Sequence, residues 1–232
     1  MSISVVIPAL NEEHEIETTI RRARDSAVCE ILVADGGSRD ATARLAATLA
    51  DRVIESPPGR ACQMNAGAEV ARGDILLFLH ADTYLPEGFG TAVEGAIAAG
   101  SIAGRFDVEL RGEHPMLRVV ARAMSLRSRL TGIFTGDQAI FIRRDVFSEL
   151  GGFAAVPLME DIALARALKR RGRTAALRLR ASTSGRRWEK HGIARTIFLM
   201  WWLRLAYFCG ASPERLARRY RRHDEPVRVR HR

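Results

Sequence analysis

Ser4-Val5-Val6-Ile7-Pro8-Ala9-Leu10-Asn11-Glu12 starts as a continuous apolar run and ends in polar residues. A short run of this kind, bounded by polar residues, reads as a strand buried on both faces. Met1 leads almost directly into it, so no secretory signal peptide is expected. Working outward, similar runs recur at 31–34, 52–54 and 75–79, separated by helical patterns at about 13–27, 40–49 and 61–71. Asp40 ahead of Ala41-Thr42-Ala43, and Gly59 ahead of Arg60-Ala61-Cys62, are suitable helix starts. Strand, helix and strand at this spacing predict an α/β fold: a Rossmann-like, mostly parallel sheet flanked by helices, with right-handed crossovers. Ligands of such sheets lie outside the carboxyl ends of the strands, where this sequence collects its polar residues.

Past residue 99 the rhythm changes. Residues 106–110 alternate as an edge-like strand, 116–130 form a basic amphipathic helix, and 139–143 read as another strand. A short helix at 145–150, a Gly151-Gly152 turn, a helix at 160–171 and a last strand at 174–181 follow. With no internal repeat or linker, the expectation is one domain over 1–185, with a nucleotide-binding half at 1–100 and an acceptor half at 101–185. A basic helical extension over 186–232 completes the chain.

The 232 residues are 47% apolar and 27% charged, as in an ordinary globular protein with a real core. Cys29, Cys62 and Cys209 lie far apart, which argues against a disulfide framework or zinc knuckle and suits a reducing cytoplasm. Charge is uneven: 16 Lys/Arg against 23 Asp/Glu over 1–162, but 20 against 4 over 163–232. The last third therefore favours an anionic surface. Trp188 and Tyr220 alone do not make a nucleic-acid module, so an anionic membrane is the better candidate.

The loop Pro8-Ala9-Leu10-Asn11-Glu12-Glu13 has no glycine, unlike a dinucleotide-binding turn, and its side chains suit a base or ribose better than a pyrophosphate. Asn11 and Glu12 also serve as helix caps in such a position. In Asp35-Gly36-Gly37-Ser38-Arg39-Asp40, Asp35 at a strand end can accept hydrogen bonds from a base or ribose, and Gly36 permits close backbone approach. Asp40 reads as a helix cap. Leu76-Leu77-Phe78-Leu79-His80-Ala81-Asp82-Thr83 is a buried strand running into an acidic residue, an arrangement that presents a metal ligand to a diphosphate. Asp82 is the natural oxygen ligand. His80 falls on the same side by strand alternation and is a second candidate for Mn²⁺ or for the donor sugar. Glu160-Asp161 opens a helix; adjacent carboxylates there stabilise the helix end, and one can also serve as a general base.

These motifs, in this order, resemble family-2 glycosyltransferases of the GT-A fold. The resemblance runs over about residues 2–180 and rests on Ser4 to Glu12, Asp35 to Thr42, Asn65-Ala66-Gly67, Gly73-Asp74 and Glu160-Asp161. It implies an inverting, Mg²⁺- or Mn²⁺-dependent transferase using a UDP- or GDP-sugar and an unidentified acceptor, whether lipid, saccharide or small molecule. It further implies that Pro8, Ala9, Glu12 and Asp35 hold the nucleoside, with Arg60 and Asn65 beside them. Asn11, Gly36 and Ala81 complete the expected nucleotide-binding set. Asp82 would hold the metal, Asp161 would be the base, and Gly136-Asp137-Gln138 would face the acceptor. The family's DxD motif is here His80-Ala81-Asp82, as in a small bacterial subgroup of the family. The missing first carboxylate leaves room for a rival, a nucleotide-sugar binding protein without catalysis. His191, behind Arg186-Arg187-Trp188, is a further metal or phosphate candidate.

Residues 193–210 are apolar around Trp201-Trp202 but carry Arg195 and Arg204. That is short of the about 20 apolar residues a bilayer span requires. An interfacial helix and a core-facing helix both fit. Ser212-Pro213-Glu214 starts another helix, with a basic run behind it. A cytoplasmic protein, peripheral on the inner face of the membrane, is the corresponding expectation.

Overall fold

The computed structural model describes residues 1–224, and side chains through Tyr220. The end of the expected basic extension, 225–232, lies outside the described residues. The first half runs β1 (Ile3–Ala9), α1 (Ile16–Arg22), β2 (Val28–Asp35), α2 (Thr42–Ala47), β3 (Arg52–Glu55), α3 (Arg60–Val70) and β4 (Ile75–Phe78). The second runs β5 (Thr83–Tyr84), α4 (Phe89–Ala98), β6 (Ala103–Arg111), α5 (Met116–Thr131), β7 (Ile140–Arg143), α6 (Arg144–Glu149), α7 (Glu160–Arg171) and β8 (Thr174–Ser184). Three helices follow: α8 (Arg186–His191), α9 (Ile193–Phe208) and α10 (Pro213–Asp224).

Among the described residues one eight-stranded sheet forms in the order β3-β2-β1-β4-β7-β6-β8-β5. β1, β2, β3 and β4 pair in parallel, as do β6 and β8, while β7 is antiparallel to both its neighbours. Every residue of β1 is buried, as an unbroken apolar strand at the centre of a parallel sheet must be. Successive side chains feed opposite faces. Val5 and Ile7 join Ile16, Ile20, Phe89 and Val93 on one side, and Val6 joins Met64, Phe78, Phe147 and Leu164 on the other. The chain winds outward from β1 to β3 and returns to β4 on β1's other side. A crevice therefore opens outside the carboxyl ends of β1 and β4, the topological switch point at which such sheets bind ligands.

The structure differs from the sequence reading in several places, among them β5, which was not expected, and β8, which runs on to Ser184. β6 lies between β7 and β8, but its pairing with β7 stops at Arg105, so the stretch 106–110 read as edge-like pairs with β8 alone, and the strand itself starts earlier, at Ala103. Its alternation arises because Val108 and Leu110 pack on Leu117, Val120 and Met124 of α5, while Asp107 turns to Arg129 at 2.8 Å. Helix α4 was not expected, because Gly90 and Gly95 lower helical propensity. At position 90 a Cβ would run into Asp25 and Ala27, so close packing there requires glycine. Finally, α1 and α2 are shorter than their patterns, since residues 12–15 and 40–41 are held in loops that bond to each other.

Candidate active site

The loops after β1 and β2 are laced together by side chains. Asn11, at φ 55°, donates its N–H to Ser38 Oγ at 3.0 Å and accepts from Arg39 N at 2.8 Å. The Glu12 N–H donates to Thr42 Oγ1 at 2.7 Å, and Asp40 accepts from Thr42 and from the Glu13 N–H. Asp35 is 7% exposed and closes its own turn, accepting from the N–H groups of Gly37 and Ser38 and from Ser38 Oγ. Three of its roughly four acceptor positions are thus used internally. Removing its carboxylate would loosen the turn as well as any ligand contact. Beneath these loops the buried Gln63 donates from Nε2 to the carbonyls of Ala9 at 2.7 Å and Ala34 at 2.9 Å. It locks the ends of β1 and β2 side by side, and its amide lies against Gly36. Nothing in the local sequence pattern singled it out.

At the end of β4 the strand stops at Phe78, and the Thr83 N–H closes a turn onto the His80 carbonyl at 3.0 Å. Strand alternation therefore does not extend to residues 80–82. His80 instead points to the turn at 136–138: Nδ1 lies 3.4 Å from Asp137 Oδ1, and its ring packs so tightly on Gly136 that a Cβ there would overlap it. His80 thus has a carboxylate partner of its own while lining the same cleft as Asp82. The Asp137 carboxylate sits deep in the cleft, yet 46% of its side chain is exposed to the solvent filling it. Burial works to raise its pKa, but His80, Arg60 and Arg187 outweigh burial and hold it well below the usual carboxylate range. Among the described residues Asp82 makes one long hydrogen bond, accepting from Thr83 Oγ1 at 3.5 Å, so its oxygens remain available there. Glu12 faces it. Burial first, then Asp82's charge, pushes the Glu12 carboxyl up, against the pull of Arg186 at 3.6 Å.

Helix α7 begins behind Met159, at φ 73°. Its two acidic residues have different surroundings. Glu160 is 6% exposed; burial and the adjacent Asp161 push its carboxyl up, against Arg60 and His80. Asp161 is half-buried and accepts from the Gly136 N–H at 3.0 Å and from the Ile162 N–H at 2.7 Å. Gly136 thus touches His80 on one side and Asp161 on the other. Arg127 and Arg204 balance these carboxylates. Burial and their mutual repulsion lower Arg127 to about 10, and burial lowers Arg204, against the attraction of Asp161 and Asp137.

These groups converge on a cleft of about 380 Å³. Of the expected site residues, Glu12, Arg60, His80, Asp82, Asp137, Glu160, Asp161 and His191 line it. Pro8, Ala9, Asn11, Asp35 and Gly36 lie beyond it, at the carboxyl ends of β1 and β2. Three others have structural work instead. Asn65 bonds both the N–H and the carbonyl of Phe153, each at 2.9 Å. Ala81 is core, with its carbonyl accepting from Thr19. Gln138 is fully buried and donates to the Phe106 carbonyl and to Ser128 Oγ, so it does not face an acceptor. The cleft also takes Arg187, Lys190 and Arg204, which the sequence reading had not assigned; for Arg187 and Lys190 the signal was the basic run beside His191, and for Arg204 a charge within the apolar stretch of α9.

No three or more His, Cys, Asp or Glu among the described residues form a ready metal cage. Asp82 and His191 on the same cleft still suit Mg²⁺ or Mn²⁺, because such ions commonly take one or two protein ligands and complete their shell with substrate phosphates.

Comparison with known proteins agrees with this architecture. The family described as glycosyl transferase family 2 matches residues 4–151. An undecaprenyl-phosphate 4-deoxy-4-formamido-L-arabinose transferase from Pseudomonas aeruginosa (strain LESB58) is 31% identical over 158 residues, covering 61% of this chain and 46% of the relative. The chain therefore spans less than half the length of that relative. Among solved structures, glucosyl-3-phosphoglycerate synthase from Mycobacterium tuberculosis, in complex with Mn²⁺, UDP-glucose and phosphoglyceric acid, is 25% identical with a TM-score of 0.59, covering 78% of this chain and 71% of that one. S. aureus TarS (1–349) aligns with a TM-score of 0.62 at 17% identity, covering 85% and 64%. The fold is of the GT-A type, and the chain belongs to glycosyl transferase family 2.

Proposed function

We propose that the chain transfers a sugar from a UDP- or GDP-sugar to an acceptor hydroxyl, with inversion, in the cleft at the β1–β4 switch point. The observation that carries this reading is the meeting of Asp82, from the end of β4, with Asp161, from the start of α7, on one cleft. The loops after β1 and β2 take the nucleoside. Asp82 and His191 hold a divalent cation, which when bound neutralises the charge of the departing nucleoside diphosphate. Arg60, Arg186 and Arg187 add positive charge toward the same phosphates.

Asp161 takes the acceptor proton. A base must first reach its proton, and Asp161 is the more accessible of the two carboxylates. The N–H groups of Gly136 and Ile162 fix its orientation. Glu160 is buried beside it, with its own carboxyl pushed up by burial and by Asp161. Asp161→Asn should lower kcat at least about a hundredfold while donor and metal affinity stay nearly unchanged.

A second reading has a phosphate-bearing acceptor, favoured by Arg187, Lys190 and Arg204 in the lining. A phosphate oxygen needs no base at neutral pH, so turnover would then survive Asp161→Asn. Nucleoside diphosphate release across a donor panel, with hydroxyl and lipid-phosphate acceptors, separates the two. The anomeric configuration of the product by NMR tests inversion. Donor binding without turnover on any acceptor would leave a nucleotide-sugar binding protein.

A further inference from the structure

Helix α9 has two apolar faces with different fates. Met200, Leu203 and Arg204 line the cleft, and Leu203, 1% exposed, packs with Met159, Ile162 and Leu216. At about 100° per residue, Phe198, Trp201, Leu205 and Phe208 form a separate stripe about 90–170° round the helix from the cleft face. They are 79%, 71%, 65% and 52% exposed, and Trp202 at 46% borders them. Scattered apolar residues on a surface are ordinary, but a helix-long stripe marks an interaction site. The inner face of α5 packs with Ile193 and Ile197 of α9, and on its outer face Val119, Leu126 and Leu130 are bare as well.

The rim of this stripe is cationic. Arg195, Arg215, Arg218 and Arg219 share one surface groove with Phe198 and Trp202, and the Arg219 guanidinium lies 4.7 Å from the Trp202 ring. No helix among the described residues is long and apolar enough to cross a membrane. A helix lying in the plane of an interface needs less: an apolar face, aromatic residues at headgroup depth and arginines for anionic lipid. We propose that α9, flanked by α5 and α10, docks on an anionic bilayer surface through Phe198, Trp201, Leu205 and Phe208. A second copy fits the stripe less well, because a two-fold contact would bring together two sets of the same arginines. Nucleic acid would meet the arginines but leave the aliphatic Leu205 unmatched.

The geometry has a consequence for the reaction. The helix that meets lipid on one face walls the cleft with the other, so a lipid-borne acceptor would enter beside α9 without leaving the interface. That consequence rests on the proposed transfer; the docking itself does not.

The test is sedimentation with phosphatidylglycerol-containing vesicles, alongside phosphatidylcholine vesicles. The unmodified protein should bind the anionic vesicles, and added salt should weaken binding by screening the arginines. Brominated lipid should quench its tryptophan fluorescence. Phe198→Ser/Trp201→Ser/Leu205→Ser should weaken vesicle binding about tenfold or more while UDP binding by calorimetry stays unchanged. UDP binding reports on the fold and the donor site, so an unmodified protein that binds the vesicles but not UDP would count against the transfer reading alone. Absence of sedimentation at low salt, or salt-sensitive binding with no quenching and no effect of the triple change, would overturn the docking. A dimer of the unmodified protein that the triple change abolishes would assign the face to a second copy instead.

Discussion

Glu160 and Asp161 are chemically alike and adjacent, so their surroundings set their roles. Burial and Asp161 raise the Glu160 carboxyl from its ordinary 4.5. Over the interval between that value and the raised one, the folded chain binds more protons than the unfolded, so stability falls as pH rises. Glu160→Gln removes this charge penalty. Its melting temperature at about pH 7.5 should exceed that of the unmodified protein, by about 2–4 °C for each kcal/mol relieved. The difference should vanish below about pH 4, where both side chains are neutral. Equal melting temperatures at both pH values would mean that the carboxylate has a compensating partner. Gly136 is the hinge of the same constellation, because a Cβ there would overlap the His80 ring. Gly136→Ala should destabilise the fold by about 1–3 kcal/mol, the usual cost of forcing an added methyl group into packed structure. Adding His80→Ala should recover most of that loss in a denaturant titration. Without recovery, the close contact would not be what requires glycine at 136.

At the scale of elements, the nucleoside shelf depends on two strand ends held in register, and Gln63 is what holds them. Gln63→Leu keeps the volume but deprives the Ala9 and Ala34 carbonyls of their buried donor. A cost of about 1–3 kcal/mol in stability is expected, together with weaker UDP binding by calorimetry. Weakened stability with unchanged UDP affinity would separate the shelf from the donor. The contrast with Asp35 explains what the sequence could and could not disclose. An acidic residue at the end of an apolar strand is visible as such, because strand, carboxyl end and ligand crevice are linked by the topology of parallel sheets. The positions of β1, β2 and β4 about the crevice were legible for that reason. Gln63, Asn65 and Gln138 carry no such mark. A polar residue in a helix or turn looks the same in sequence whether it meets solvent, ligand or buried carbonyls, and only the packing decided. The direction of the His80 side chain was not legible for a related reason: alternation does not extend past the point where the strand gives way to a turn.

The whole molecule brings together groups that are far apart in sequence, with Asp82 and Asp137 on one cleft with residues of α7, α8 and α9. That arrangement makes ligand binding readable as stability, since a ligand that binds only the folded chain stabilises it by RT ln(1 + [L]/Kd). At a hundredfold excess over Kd this is about 2.7 kcal/mol, or a rise of about 5–10 °C in melting temperature at this size. UDP alone should give part of the rise, through the shelf and the cleft arginines. Mn²⁺ with UDP should give more than the two separate effects combined, because the ion takes its remaining ligands from the diphosphate and neither partner completes the site alone. Asp82→Ala should abolish this extra increment and leave the UDP effect, since Asp82 has the uncommitted oxygens and the nucleoside shelf lies elsewhere. His80→Ala should retain it, because His80 is engaged with Asp137 and Gly136 and not with the metal position. His191→Ala should reduce it. If His80→Ala removes the increment and Asp82→Ala does not, the imidazole has turned toward the ion on binding, and the assignment of the two residues must be exchanged.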